Sequence, residues 1–214
     1  MSARGTVIAH RAGNDPPRLA AAGAHADVVE ADVHLFRGRL EVRHAKTLGP
    51  LPVLWERWCL LDRATPRVLL GEVLAATGPE VGLMLDLKGI DPRLPHAVMR
   101  AVEGWLSGRR LIVCSRAWRA VEAFAGVAGV ETLHSVGNRH QLRALARRFP
   151  DRLPGGVSID RALLDPAVAA ALRKRTDRLW SWPVNDADTA RTLAAWGVTG
   201  FISDAPHLLR SVTA

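Results

Sequence analysis

Short apolar segments alternate with amphipathic segments along the whole chain, and eight of the apolar segments are predicted to be β-strands. Short aliphatic runs between glycine, proline and asparagine are typical of buried strands, whereas apolar residues spaced three and four apart indicate helices. The predicted strands are residues 6–11, 27–33, 81–88, 111–115, 131–136, 156–160, 178–184 and 200–203. Strands that alternate with helices form a parallel sheet, and eight of them in 214 residues favour closure into a (β/α)8 TIM barrel. We therefore predict one α/β domain over residues 1–214.

Two of the connections carry more specific predictions. Residues 37–39 form a tight turn, so residues 40–44 are expected to return as a hairpin that brings His44 towards the second strand. Thr65 and Pro66 have the composition of a helix start, and apolar residues follow them at helical spacing. A helix is therefore predicted to begin at Thr65.

Two carboxylates lie inside the second predicted strand. Because successive side chains of a strand point to opposite faces, Glu30 and Asp32 share one face. Such a pair repels unless a cation lies between the two groups, and carboxylate oxygens are the ligands that Mg²⁺ and Ca²⁺ take. The alternative is an edge strand with a solvated face. Asp86 and Lys88 repeat the same spacing on the third strand.

Most of the residues that could carry chemistry fall at or near the carboxyl ends of predicted strands. In (β/α)8 barrels the active site lies at those ends, whereas solvating charges fall mostly on helices. The residues are His10, Arg11, Glu30, Asp32, Asp86, Lys88 and Trp182. Their placement favours the metal-site interpretation of the two carboxylates.

Composition narrows the classes of function and location. The formal net charge of +8 would suit nucleic acid, but no basic run is interleaved with aromatic residues, so we predict no nucleic-acid partner. The excess positive charge would instead steer small anionic substrates to the protein. No apolar run is long enough for a signal peptide or a membrane span, and the presence of only two cysteines argues against a disulfide framework. We therefore predict a cytoplasmic location. A monomer or weak homodimer fits these features.

The chain resembles the glycerophosphodiester phosphodiesterase family over nearly its full length. Each motif alone is weak, but their order and spacing together are specific. They are His10-Arg11, Glu30-x-Asp32, His44 before Thr47-Leu48, Asp86-x-Lys88-Gly89, Trp182-Pro183-Val184-Asn185 and the segment Gly197 to Asp204.

This resemblance implies a barrel that hydrolyses glycerophosphodiesters to an alcohol and glycerol 3-phosphate. It implies one divalent cation, Mg²⁺ or Ca²⁺, held by Glu30, Asp32 and Asp86. His10 and His44 would be the general acid and base. Arg11 and Lys88 would contact the phosphate of a small-molecule phosphodiester, and Trp182 would form an apolar wall beside it.

The sequence departs from the family pattern in four places. Ala45 follows His44 where the family usually has an aspartate that orients the loop. Residues 14–17 replace the family's Pro-Glu-Asn-Thr, Asp86 replaces a glutamate, and the segment between His44 and the third strand is short. The short cap keeps a lysophospholipase D type of activity open, and the Ala45 and Asp86 departures keep open a catalytically silent barrel that binds phosphate-bearing ligands.

Several structural alternatives also stay open. Lys88 could form a simple ion pair with Asp86 or Glu30, and Asp204 is interpreted as a helix cap before a proline rather than as a site residue. His44 could be a solvated hairpin residue, although neighbouring charged residues are expected to supply solvated charge already. The other six histidines, including His34, share no spacing and are interpreted as structural.

Overall fold

Eight parallel strands close into a barrel in the computed structural model, which describes residues 5–210 except 49, 50, 52, 57, 63 and 64. The first strand pairs with both the second and the last, because Ile8 lies opposite Val28 and Thr6 opposite Gly200. This closure confirms the predicted (β/α)8 barrel. The first four and last four residues of the predicted domain lie outside the described residues. The barrel strands are β1 (Thr6–Ala9), β2 (Val28–Phe36), β3 (Gly82–Leu87), β4 (Leu111–Ser115), β5 (Val130–Val136), β6 (Gly156–Asp160), β7 (Leu179–Trp182) and β8 (Gly200–Ser203).

An apolar layer fills the inside of the barrel, and polar side chains follow it toward the carboxyl ends of the strands. The layer consists of Ile8, Val28, Met84, Ile112, Cys114, Leu133, Trp180 and Ile202. Because side chains alternate between the inner and outer faces, the next inward positions after Ile8, Val28 and Met84 are His10, Glu30 and Asp86. The packed layer therefore closes the barrel below, and the polar positions form its open mouth.

The helices form the outer layer and cover the outward faces of the strands. No helix in the part of the chain that the structure describes is long and apolar enough to cross a membrane. The helices are α1 (Pro16–Ala22), α2 (Leu70–Ala76), α3 (Arg93–Val102), α4 (Trp118–Glu122), α5 (Arg139–Arg148), α6 (Pro166–Arg173) and α7 (Ala187–Ala195), with 3₁₀ turns at Ala12–Asn14, Arg161–Leu163 and Pro206–Leu208.

The predicted helix start at Thr65 is wrong, because α2 begins at Leu70. Val68 and Leu69 form a short strand that pairs antiparallel with the hairpin strand Arg39–Val42. The backbone N–H of Leu69 then donates to the Glu72 side chain at 2.6 Å, which satisfies a donor at the helix start. The pairing with a distant strand overrides the local composition around the proline.

The connection from β2 to α2 carries a hairpin and a separate small sheet, with His44 between them. Strand Arg39–Val42 returns antiparallel to the end of β2, as predicted. The small sheet has three short antiparallel strands, which are Lys46–Thr47, Leu54–Glu56 and Cys59–Leu60.

A buried ion-pair network supports the chain around His44. The Arg43 guanidinium donates to Glu41 at 2.8 Å, and Arg67 pairs with the same carboxylate at 3.0 Å. Arg43 also donates to the backbone carbonyl of Ala45. Glu41 and Arg43 are both buried, so the expectation that they supply solvated charge beside His44 is wrong.

Candidate active site

The three predicted metal-ligating carboxylates converge at the mouth of the barrel. Glu30 and Asp32 lie on β2, and Asp32 is the direct partner of Asp86 in the pairing of β2 with β3. One ligand oxygen from each of the three lies within 4.8 Å of the others. Glu30 and Asp32 are buried, at 3% and 1% exposure. The structure therefore places three acidic groups in one weakly solvated cluster.

Lys88 lies between two of these carboxylates. Its ammonium is 2.7 Å from Asp32 Oδ1 and also pairs with Asp86. Although burial alone would lower it, the pKa of Lys88 is raised by the neighbouring carboxylates of Asp86, Asp32 and Glu30. The alternative of a simple ion pair is thus present in the structure, with Asp32 and Asp86 as the partners.

One lysine leaves the acidic cluster short of positive charge. Burial and the neighbouring Asp32 raise the pKa of Glu30 well above its usual value. Burial also raises the pKa of Asp86, against the opposing effect of Lys88. For Asp32 the effect of burial is outweighed by Lys88 and by hydrogen bonds, so its pKa is lowered. A further cation would favour the charged form of all three groups.

The donor set fits a hard divalent cation. Asp86 Oδ1 is buried and has no hydrogen-bond partner among the described residues, so one carboxylate oxygen is left available as a ligand. All three candidate ligands are carboxylates, which suits Mg²⁺ or Ca²⁺ rather than a metal that prefers sulfur or imidazole. Glu30, Asp32 and Asp86 are therefore the residues that would hold the ion.

The turn after β1 positions two of the carboxylates. The backbone N–H of Arg11 donates to Glu30 Oε2 at 2.6 Å, with Arg11 in the left-handed region at φ 54°. Asn14 donates to Asp32 Oδ2 at 2.7 Å and accepts the Asp32 backbone N–H at 2.9 Å. Gly13 allows this close approach, since a Cβ there would lie 2.7 Å from the Ala31 Cβ. Asn14, one of the residues that stand in place of the family's Pro-Glu-Asn-Thr, therefore orients Asp32.

The Arg11 side chain turns toward the same cluster. Its Nε lies 3.8 Å from Asp32 Oδ2, which is an ion pair without a hydrogen bond. This buried Nε–H has no hydrogen-bond partner among the residues described. Arg11 therefore offers a donor and a positive charge to an anion at the mouth of the barrel.

Each predicted catalytic histidine has a carboxylate partner at Nδ1. His10 Nδ1 lies 2.9 Å from Asp204 Oδ1, and Asp204 also accepts from Asn185 Nδ2 at 3.3 Å. His44 Nδ1 lies 2.7 Å from Glu56 Oε1, on the small sheet. A carboxylate at Nδ1 favours the Nδ1–H tautomer and leaves Nε2 free for proton transfer.

The interpretation of Asp204 as a helix cap is wrong. The 3₁₀ turn that follows begins after Ala205, and no side chain caps it. Asp204 instead orients His10, and Asn185 accepts the Asp204 backbone N–H at 2.9 Å. Asp204 and Asn185 both fall within the quoted family motifs, and that position was the signal available in the sequence. Nothing in the sequence indicated Glu56 or Asn14 as partners of site residues.

Trp182 lies at the end of β7, where it packs against the apolar layer inside the barrel. Trp180, two residues earlier on the same face of β7, is fully buried in that layer. The structure therefore brings Trp182 to the same end of the barrel as the carboxylates and His10.

His34, interpreted from the sequence as structural, continues the face of β2 that carries Glu30 and Asp32. Its Nε2 is buried without a hydrogen-bond partner in the described part of the chain. Burial, with a smaller contribution from Arg43, lowers the pKa of His34 to about 3.

The low pKa of His34 makes a prediction about stability in acid. Below the usual histidine value of 6.5, protons bind the unfolded chain and not the folded one, so the free energy of unfolding falls as the pH drops toward 3. Between pH 7 and pH 5, His34 is expected to lower the free energy of unfolding by about 2 kcal/mol. His34→Gln should abolish this part of the loss. The free energy of unfolding is measured at each pH by urea unfolding in EDTA, with a substitution of an exposed histidine, His140→Gln, as control. If this free energy falls equally with pH in His34→Gln and in the wild-type protein, the prediction is contradicted.

The sequence matches no protein-family model and no curated protein significantly, but solved structures share the fold. A phosphodiesterase from Oleispira antarctica, in complex with the product sn-glycerol-3-phosphate, has a TM-score of 0.75 at 18% identity over 98% of this chain and 96% of its own. Glycerophosphodiester phosphodiesterases from Thermotoga maritima and Parabacteroides distasonis give TM-scores of 0.71 and 0.72. Their identities are 19% and 18%, over 97% and 96% of this chain and 98% and 95% of theirs. This chain therefore has the barrel fold of glycerophosphodiester phosphodiesterases, as its sequence resemblance predicted.

Proposed function

We propose that this protein is a metal-dependent phosphodiester hydrolase that cleaves a glycerophosphodiester to an alcohol and glycerol 3-phosphate. The observation that carries the proposal is the mouth of the barrel, where three clustered carboxylates lie with Arg11 and two histidines each hold a carboxylate at Nδ1. A catalytically silent barrel would not require both histidines to be oriented in this way.

The charges at the mouth suit a phosphodiester. Its phosphate is an anion, and further negative charge develops on the non-bridging oxygens as the reaction proceeds. The unpartnered Nε–H of Arg11 donates to one of these oxygens, and Lys88 adds positive charge beside it. When bound by Glu30, Asp32 and Asp86, Mg²⁺ or Ca²⁺ supplies additional charge neutralisation.

The two histidines account for the proton transfers. A nucleophilic oxygen, from water or from the neighbouring hydroxyl of the substrate, forms a bond to phosphorus while the bond to the leaving alcohol oxygen breaks. Where the nucleophile is the substrate hydroxyl, this step gives a cyclic phosphate, and water then forms a bond to phosphorus while the ring P–O bond breaks, which gives glycerol 3-phosphate. One histidine Nε2 accepts the proton of the nucleophile, and the other donates a proton to the leaving oxygen. Asp204 and Glu56 hold the two rings by their Nδ1 atoms during these transfers.

The product complex of the Oleispira antarctica phosphodiesterase supports this substrate class. That protein, which shares the fold along nearly its whole length, binds sn-glycerol-3-phosphate. We propose that the mouth of the present barrel binds the same phosphate-bearing product.

The test is release of glycerol 3-phosphate from a panel of glycerophosphodiesters, with Mg²⁺, with Ca²⁺ and with EDTA. Turnover with either ion and none in EDTA is expected. Absence of turnover for every substrate with both ions, while inorganic phosphate or glycerol 3-phosphate still binds by calorimetry, would establish the silent barrel instead.

A lysophospholipase D type of activity is a second candidate, favoured by exposed apolar side chains around the mouth. Trp58 and Leu60 of the small sheet are 95% and 70% exposed, and Ile90, after β3, is 93% exposed. Such side chains suit the acyl chain of a lysophospholipid. Including lysophospholipids in the panel decides between the two, because a higher kcat/KM for these substrates would identify the second activity.

Glu56 gives a prediction about the orientation of His44. Glu56→Gln keeps the shape of the side chain but removes the charge that favours the Nδ1–H tautomer, so we expect kcat to fall about tenfold with little change in KM. Steady-state kinetics measures this. The exposed Glu103→Gln is the matched control. A Glu56→Gln enzyme with wild-type kcat would mean that the small sheet does not position His44.

A further inference from the structure

Arg116 lies at the mouth of the barrel, and its side chain extends away from the carboxylate cluster toward Gly137 and Trp182. It follows β4 directly and stands two positions after Cys114, which belongs to the apolar layer inside the barrel. The carboxylates lie on β2 and β3 and His10 follows β1, whereas the Arg116 side chain reaches over the rim formed by β5, β6 and β7. Arg116 therefore belongs to the same mouth without belonging to the proposed catalytic cluster.

The Arg116 side chain is held over the rim by two neighbours. Its guanidinium lies over the indole ring of Trp182, with Cζ 5.4 Å from the ring centroid. It also lies against Gly137, just after β5, where a Cβ would overlap the guanidinium. The absence of a side chain at Gly137 makes room for Arg116 to reach from β4 across β5 toward β7. Stacking on an indole restricts an arginine while leaving its N–H groups free.

The charge of Arg116 is not neutralised by a described residue. No described carboxylate forms an ion pair or hydrogen bond with the guanidinium, although many other arginines have such partners. Asp160 ends β6, which lies between β5 and β7 on the rim. Its carboxylate accepts a hydrogen bond from the Ala162 backbone N–H at 2.9 Å. A fixed, exposed guanidinium without an anion is suited to a carboxylate or phosphate of a ligand.

We propose that Arg116, stacked on Trp182, forms a second anion subsite that selects substrates whose leaving alcohol carries a carboxylate or a phosphomonoester. This inference rests on the proposed function. With the phosphodiester at Arg11 and the carboxylate cluster, one substituent of the phosphate extends across the mouth toward β4 and β7. A negative group on that substituent meets Arg116, whereas an uncharged substituent meets only the exposed edge of Trp182.

The experiment compares three substrates that differ only in the head group. These are glycerophosphodiesters of glycerol, of glycerate and of glycerol phosphate, so that the head group carries no charge, a carboxylate or a phosphomonoester. We expect kcat/KM to be higher for both charged head groups, mainly through KM. Arg116→Gln should lower it about fivefold for the charged substrates and leave the glycerol head group unchanged.

Two further variants separate position from charge. Gly137→Ala keeps every charge but displaces the guanidinium, so it should reduce the same preference. Arg119→Gln, an exposed residue of α4, makes the same change in net charge and should leave the preference intact. Equal losses for Arg116→Gln and Arg119→Gln would assign the effect to general charge and overturn the subsite.

Binding distinguishes failure of the subsite from failure of the proposed function. Calorimetry with the same three compounds and EDTA gives Kd without turnover. Tighter binding of the charged head groups that is lost in Arg116→Gln supports the subsite even if no substrate is hydrolysed. Equal Kd and equal kcat/KM for all three head groups would overturn it, even in an active phosphodiesterase.

Discussion

Replacing His44 by alanine is expected to lower kcat for glycerophosphodiester hydrolysis about a thousandfold, and His10→Ala should have an effect of the same order. Each ring is held at Nδ1 by a carboxylate, so Nε2 is the atom available to move a proton. Loss of either ring removes one of two proton transfers. The measurement is steady-state release of glycerol 3-phosphate at saturating Mg²⁺ or Ca²⁺.

A histidine outside the mouth provides the control for this prediction. His140 lies exposed on α5, and His140→Ala should keep wild-type kinetics. Thermal unfolding of all three variants checks that the His10 and His44 enzymes remain folded. A folded His44→Ala enzyme that retains more than a tenth of wild-type kcat would remove His44 from the catalytic role.

Glu30→Gln is expected to produce opposite effects on metal binding and on stability. Glu30 is one of three carboxylates that would hold the cation, so its neutral replacement should weaken Mg²⁺ or Ca²⁺ binding about a hundredfold, as measured by calorimetry. The amide oxygen can still accept the Arg11 N–H, so the local structure has a partner for that donor.

In EDTA the same variant should be more stable than the wild-type protein at neutral pH. Burial and Asp32 raise the pKa of Glu30 above its usual 4.5, so ionisation of Glu30 opposes folding increasingly as the pH rises above that value. Urea unfolding at pH 7.5 measures this, with the exposed Asp151→Asn as control. A Glu30→Gln protein that loses stability in EDTA and still binds the ion normally would contradict the proposed metal site.

The opposite effects of Glu30→Gln on metal affinity and on stability without metal distinguish a metal ligand from a residue that only supports the fold. A buried carboxylate that only supports the fold is destabilising to remove, because its partners lose their acceptor. A carboxylate placed beside two others lowers the free energy of unfolding unless a cation is bound. Metal-dependent stabilisation, measured as the rise in melting temperature with added Mg²⁺ or Ca²⁺, should therefore be large in the wild-type protein and small in Glu30→Gln.

The sequence by itself determined the barrel and the carboxylate cluster. Strand periodicity assigns Glu30 and Asp32 to one face from neighbouring residues alone, and eight alternating units place Asp86 and His10 at the same end of a parallel sheet. These are properties of local pattern and chain topology, which require no knowledge of which side chains meet.

Only the tertiary structure decided the partners of those groups. Asp204 reaches His10 across 194 positions of sequence, and Glu56 reaches His44 from the small sheet. The true start of α2 depends on the pairing of Val68 with Val42. Barrel closure and strand pairing create these contacts, because they bring together residues that no local periodicity relates. Arg116 follows the same rule, since its stacking on Trp182 spans four strands of the rim, from β4 to β7.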